Sequence, residues 1–183
     1  AVELPSQFME NFCWEWDVLA PMTAHVDTGA PVPRALFDKM VAAKNFQSGM
    51  QTVRQLEFAL FDMRIHAEPG SASSIQSVLD EVRAEVAVLD VPETNRFQHS
   101  FSHIFGGGYA AGYYSYKWAE VLAADAFAAF EEAGLFDPAL ARRFREQVLE
   151  IGGSRDIAEA FVAFRGRPAH VDALLKQSGI SRV

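Results

Sequence analysis

Apolar residues recur at steps of three and four along nearly the whole chain, a period that leaves helices as almost its only regular structure. Phe8, Phe12, Trp16 and Leu19 set it over 6–19, with Ser6 placed to cap. Pro21 and then Thr28-Gly29-Ala30-Pro31-Val32-Pro33 mark a turn-rich connection, in which His25 reads as an exposed or hydrogen-bonded loop histidine. Leu36, Phe37, Met40, Val41, Phe46, Met50, Val53, Leu56, Leu60 and Met63 carry a long helical pattern over 34–66 and read as core. Asn45 to Gly49 is where it would bend or split, since glycine costs about 1 kcal/mol against alanine inside a helix. Ser71 to Ser74 would cap a helix over 75–89 with Ile75, Val78, Leu79, Val82, Val86 and Leu89 inward, ended by Pro92. Residues 93–110 are polar and glycine-rich, and a short strand over 97–103 is the one exception expected to helices. Trp118, Val121, Leu122, Ala126, Phe127 and Phe130 give a helix over 111–133 that Gly134 stops. Asp137-Pro138 starts one over 138–149, and Gly152-Gly153-Ser154 separates it from others over 155–165 and 169–177. The fold class is therefore all-α, without repeats or linkers.

The 183 residues suit one domain of ordinary size or one piece of a larger protein. Half of them are hydrophobic, enough for a sizeable core. A net charge of −8 argues against nucleic acid, which calls for a basic face. Charge breaks every apolar run well before the ~18 residues of a membrane span. The single cysteine, Cys13, excludes an internal disulfide and, between Phe12 and Trp14, reads as a small buried hydrophobe. That usage is compatible with the cytoplasm, the expected location. The first residue is Ala1, followed at once by Val2-Glu3-Leu4-Pro5, so the chain is expected to begin inside a structural element of a longer protein.

Phe101 to Tyr116 breaks the helical monotony. His103 precedes three glycines at 106–108, and tyrosines follow at 109, 113, 114 and 116. Glycines let the backbone take positive φ and let a ligand approach closely. Phenol and imidazole groups can aim a hydrogen bond at a developing charge. Taken alone, the stretch fits either a loop-to-helix joint with packed tyrosines or a ligand-facing loop. It is neither a phosphate loop, lacking Lys-Ser/Thr after the glycines, nor a dinucleotide turn, lacking a β-branched lead-in strand. Glu3, taken alone, is an acid near a helix start, where the dipole favours it.

Together these stretches resemble the zinc oligopeptidases of the thimet oligopeptidase, oligopeptidase A and peptidyl-dipeptidase family, most closely its bacterial oligopeptidase A branch. Val2-Glu3-Leu4-Pro5-Ser6-Gln7-Phe8-Met9-Glu10-Asn11 looks like the segment just downstream of that family's His-Glu-x-x-His helix. Phe101 through Tyr116 looks like its histidine and tyrosine loop. Gly152-Gly153-Ser154 and Phe164-Arg165-Gly166-Arg167 are similar to its C-terminal pattern. The resemblance covers essentially the whole chain, and implies that 1–183 is the C-terminal portion of a helical metallopeptidase catalytic domain with a Gly/Tyr-rich active-site loop.

The resemblance also implies roles. Glu3 would be the third zinc ligand, beside two histidines of the His-Glu-x-x-His helix. Tyr116 would donate to the oxyanion, with His103 assisting. Tyr109, Tyr113, Gly107 and Gly108 would contact substrate, the glycines at 106–108 would let the loop close over it and hinge when product leaves, and Tyr114 would pack. Short peptides would be the substrates. No His-Glu-x-x-His occurs in the 183 residues, so this piece by itself is expected to bind no zinc at the family site and to be inactive. Apolar surface left by missing helices is expected to drive a homo-oligomer. The alternative is a non-catalytic helical interaction module. The sequence upstream of Ala1 separates the two readings.

Overall fold

The computed structural model describes residues 2–67, 70 and 74–180. All regular structure among them is helical, in the order α1 (Leu4–Asn11), α2 (Trp16–Met22), α3 (Arg34–Lys44), α4 (Ser48–Ala67), α5 (Ile75–Val86), α6 (Ser102–Phe105), α7 (Ser115–Ala133), α8 (Pro138–Phe144), α9 (Ile157–Arg165) and α10 (Asp172–Gln177). The chain divides into two compact units. The first comprises 1–46 and 118–183, and the second comprises 47–117.

In the first unit, Leu4 and Phe8 of α1 are buried with Leu122, Phe127 and Phe130 of α7, Leu140 and Phe144 of α8, and Phe161 and Phe164 of α9. The Phe8 ring stacks on Phe144 at 4.0 Å, and Phe12 meets Phe127 edge-on at 5.0 Å. Alanines at 119, 123, 124, 126 and 129 are buried along α7, where short side chains let neighbours approach its backbone. Asp125 is buried among them and paired. Its carboxylate accepts from Arg165 Nε, from both Arg167 Nη atoms and from the His170 backbone N–H. Arg165 also forks onto Glu132. The strand-free C-terminal segment is thus tied to α7 by charge as well as by apolar contact.

In the second unit, Phe61, Val78, Leu79, Phe101, Ile104 and Tyr113 form a separate core. Beneath it Glu57 is buried and accepts from Arg54 and from Arg83, which also reaches Asn95. A buried acid held by two guanidiniums avoids the cost of an unpaired charge.

The helix starts and stops follow local chemistry. Asp137 caps α8 by accepting from the Leu140 N–H at 2.6 Å, with Pro138 at the first helical position. Asp156 caps α9 in the same way, and Gly166 closes it at φ 81°. The expected 34–66 helix is split after Lys44 by a turn over 45–47, and Gln47 takes φ 54°. Ser71, Ala72 and Ser73 lie outside the described residues, while Ser74 stands at the N-terminus of α5.

Several expectations are corrected. The 97–103 strand is a 3₁₀ turn, Phe97–Ser100, followed by α6. The four-residue spacing of Phe97 and Phe101 is a helical period, and it brings their rings within 4.8 Å. The 6–19 helix is interrupted by a 3₁₀ turn at Phe12–Trp14, and Ser6 lies inside α1 rather than capping it. That turn leaves Cys13 exposed, not buried. Leu36, Val41, Phe46, Leu56, Met63 and Leu89, read as core, are exposed; α4 instead buries Glu57, Phe61 and Asp62. The helix placed over 111–133 begins at Ser115, because 106–114 are turns.

Candidate functional site

Short bonds hold the glycine turn of the second unit. Gly106 N–H donates to Ser102 O and Tyr109 N–H to His103 O, folding the glycines back over α6. Gly107 sits so close that a Cβ there would stand 3.0 Å from the His103 oxygen and 3.1 Å from its Cα. Gly108 takes φ +82°. Ala111 takes φ 55°, a region that costs a residue with a side chain on the order of 1 kcal/mol or more. Asp62 of α4, fully buried, offsets that strain: its carboxylate oxygens accept from the Ala111 N–H and the Tyr113 N–H, both at 2.9 Å. His66, one turn along α4, places Nδ1 2.9 Å from the same carboxylate.

The turn gathers four of the aromatic residues singled out above. His103 lies 6.1 Å from Tyr109, 5.7 Å from Tyr113 and 6.1 Å from Tyr116, ring centre to ring centre. Tyr109 stacks on Tyr116 at 4.9 Å, and Tyr113 is 5.2 Å from Tyr116. His103 is exposed and Tyr109 and Tyr116 are half-buried, so the cluster has an open side. Tyr113 is buried, and its hydroxyl donates to Gln55 Oε1 at 3.0 Å. Burial pushes its phenol above the ordinary value near 10; Tyr116 adds to the rise and Arg54 opposes it. Tyr114, expected to pack, is the last turn residue before α7 and is 52% exposed.

Glu3 stands at the N-cap of α1 in the first unit. Its backbone oxygen accepts from the Gln7 N–H, and the Ser6 hydroxyl lies 3.4 Å from Oε2. One half-buried carboxylate is a competent zinc donor but supplies only one of the three protein ligands a catalytic zinc needs. Among the described residues no three His, Cys, Asp or Glu side chains converge as a metal set.

Sequence reasoning missed Asp62, Gln55 and the Arg54–Glu57–Arg83 network. The available signal was an acid inside an apolar helical run, as in Leu60-Phe61-Asp62-Met63. A charge on a buried stripe must be paired, though the sequence does not say with what.

The arrangement gathers phenol and imidazole groups beside a glycine turn with one exposed side, residue types suited to stabilising oxygen charge in acyl chemistry. A family model described as Peptidase family M3 matches residues 1–180. The chain belongs to peptidase family M3. Within family M3 it is 53% identical over 182 residues to oligopeptidase A of Salmonella typhimurium, and equally so to that of Escherichia coli K12. Each alignment covers 98% of this chain and 27% of the relative. A probable cytosolic oligopeptidase A of Arabidopsis thaliana is 47% identical over 186 residues, covering 98% of this chain and 26% of the relative. The chain thus spans about a quarter of the length of these M3 relatives.

Proposed function

We propose that this chain is the C-terminal part of the catalytic domain of a zinc oligopeptidase that hydrolyses short peptides in the cytoplasm. The observation that carries the reading is the convergence of His103, Tyr109, Tyr113 and Tyr116 at one glycine turn, in a chain matched by a peptidase family over 1–180. Relatives named oligopeptidase A support the substrate class. Glu3 would supply one zinc ligand, and zinc when bound would activate water and polarise the scissile carbonyl. Tyr116 donates its hydroxyl proton in a hydrogen bond to the developing oxyanion. His103 assists from the exposed side of the cluster. Tyr109 and Tyr113 border the peptide, and Gly107 and Gly108 keep the backbone low enough for it to pass. No helix among the described residues is long and apolar enough to cross a membrane, and the net charge of −8 gives no support to nucleic-acid binding.

The test uses the full-length polypeptide. Tyr116→Phe should keep its zinc content and lower kcat by on the order of 10²–10³-fold, the loss seen for one oxyanion donor. Glu3→Gln should lose zinc. An unchanged kcat in Tyr116→Phe would remove the oxyanion assignment.

A further inference from the structure

We propose that Asp62 is a positioning residue for turnover: its carboxylate sets the tyrosine turn from beneath, so that the phenol cluster is formed before substrate arrives. Asp62 touches no opening. It is 0% exposed, yet both its oxygens are spent on the turn, one on the Ala111 N–H and one on the Tyr113 N–H, 49 and 51 residues away in sequence. The Tyr113 bond fixes the residue three before Tyr116, and the Tyr116 N–H donates to the Tyr113 carbonyl. The Ala111 bond holds a φ of 55° that alanine would leave if released. His66 locks the acid from its own helix, placing Nδ1 2.9 Å from Oδ1 and 2.8 Å from the Asp62 carbonyl oxygen. A buried acid with two backbone donors and one imidazole is more than packing requires. It converts a glycine-rich turn, costly to order, into a fixed platform.

The inference rests on the proposed function for its kinetic arm, and a structural arm stands apart from it. Asp62→Asn keeps the volume but leaves one acceptor oxygen for two donors. In this chain, hydrogen exchange should quicken about 10- to 100-fold at the Ala111 or Tyr113 amide, as expected for losing a bond to a charged acceptor, while α7 amides stay unchanged. His66→Ala, which leaves Asp62 in place, should quicken the same amides by less; it serves if Asp62→Asn does not fold. Unchanged exchange at both amides overturns the clasp. In the full-length polypeptide, Asp62→Asn should lower kcat about 10- to 100-fold with zinc content and KM nearly unchanged, a loss typical of a small displacement of a working group. The double variant Asp62→Asn, Tyr116→Phe should be no slower than Tyr116→Phe alone, because Asp62 acts through that phenol. Fully additive losses overturn the positioning role and leave the oxyanion assignment standing. A Tyr116→Phe variant of full activity sinks the kinetic arm together with the proposed function, whatever the amides show.

Discussion

Gly107 cannot carry a side chain without moving the backbone above it. A Cβ would meet main-chain atoms of His103 at 3.0 and 3.1 Å, and main chain yields less readily than a flexible side-chain tip. Gly107→Ala should therefore cost about 1–3 kcal/mol and displace His103 from its ring contacts, readable as a lower midpoint in urea and altered His103 imidazole resonances. Its neighbour Gly108 needs glycine for its φ of +82° rather than for space, since nothing lies near its Cβ position. Tyr113 has a separate signature. Burial raises its phenol above the ordinary value, helped by Tyr116 and opposed by Arg54. A raised folded value means the linked stability is fully present below about pH 10 and is lost as pH rises through the folded value. Absorbance titration near 295 nm should show a step above the ordinary phenol range, and Tyr113→Phe should abolish that step. Loss of the step in Tyr114→Phe instead would reassign it.

Among the elements, the link between α7 and the segment from Arg165 to His170 carries a dependence on pH. Burial pushes the Asp125 carboxyl up, but bonds from Arg167, the His170 N–H and Arg165 outweigh it and hold the group below the usual carboxylate range. Glu132 is lowered chiefly by its bond from Arg165. Both folded values are depressed, so this stability is fully present above about pH 4–5, where unfolded carboxyls are ionised, and is lost as pH falls through the folded values. Asp125→Asn should cost about 2–4 kcal/mol at neutral pH and flatten the acid limb of an unfolding curve followed by circular dichroism. Which elements exist was legible where local chemistry decides: Asp137-Pro138 begins α8, Gly134 follows α7, and the Asn45 region splits the long pattern. What escaped was decided at a distance. Asp62 and Asp125 sit on buried helix faces because backbone and guanidinium donors from 40 to 51 residues away meet them there. Periodicity marks a face without naming its partner. Phe97 and Phe101 kept helical spacing but lay in a polar, glycine-rich stretch that read as a loop with a short strand. In the site, the histidine and tyrosines were legible as a group; the acid holding their turn was not.

At the scale of the molecule, each unit has its own apolar core, and substantial apolar side chains remain outside both, among them Val2, Met22, Val26, Phe46 and Phe136. Where such side chains adjoin in one patch they favour association, which is the expectation to test. Sedimentation velocity should show the mean mass rising with concentration, and a clean monomer at high concentration would count against self-association. The stronger consequence concerns chemistry. Catalytic zinc needs three protein ligands and an open position, and the sequence offers no His-Glu-x-x-His to join Glu3. In the proposed reaction an oxyanion forms for the tyrosine cluster to stabilise only after an activated water has attacked. The 183-residue chain supplied with zinc and a short peptide should therefore leave the peptide intact, although Asp62 holds the turn before Tyr116 through the Ala111 and Tyr113 N–H groups. Chromatography of the digest reads the result. Chelator-sensitive cleavage by the purified chain would show that a metal site can be assembled from these residues, and would require Glu3 and the five histidines to be reassigned one substitution at a time.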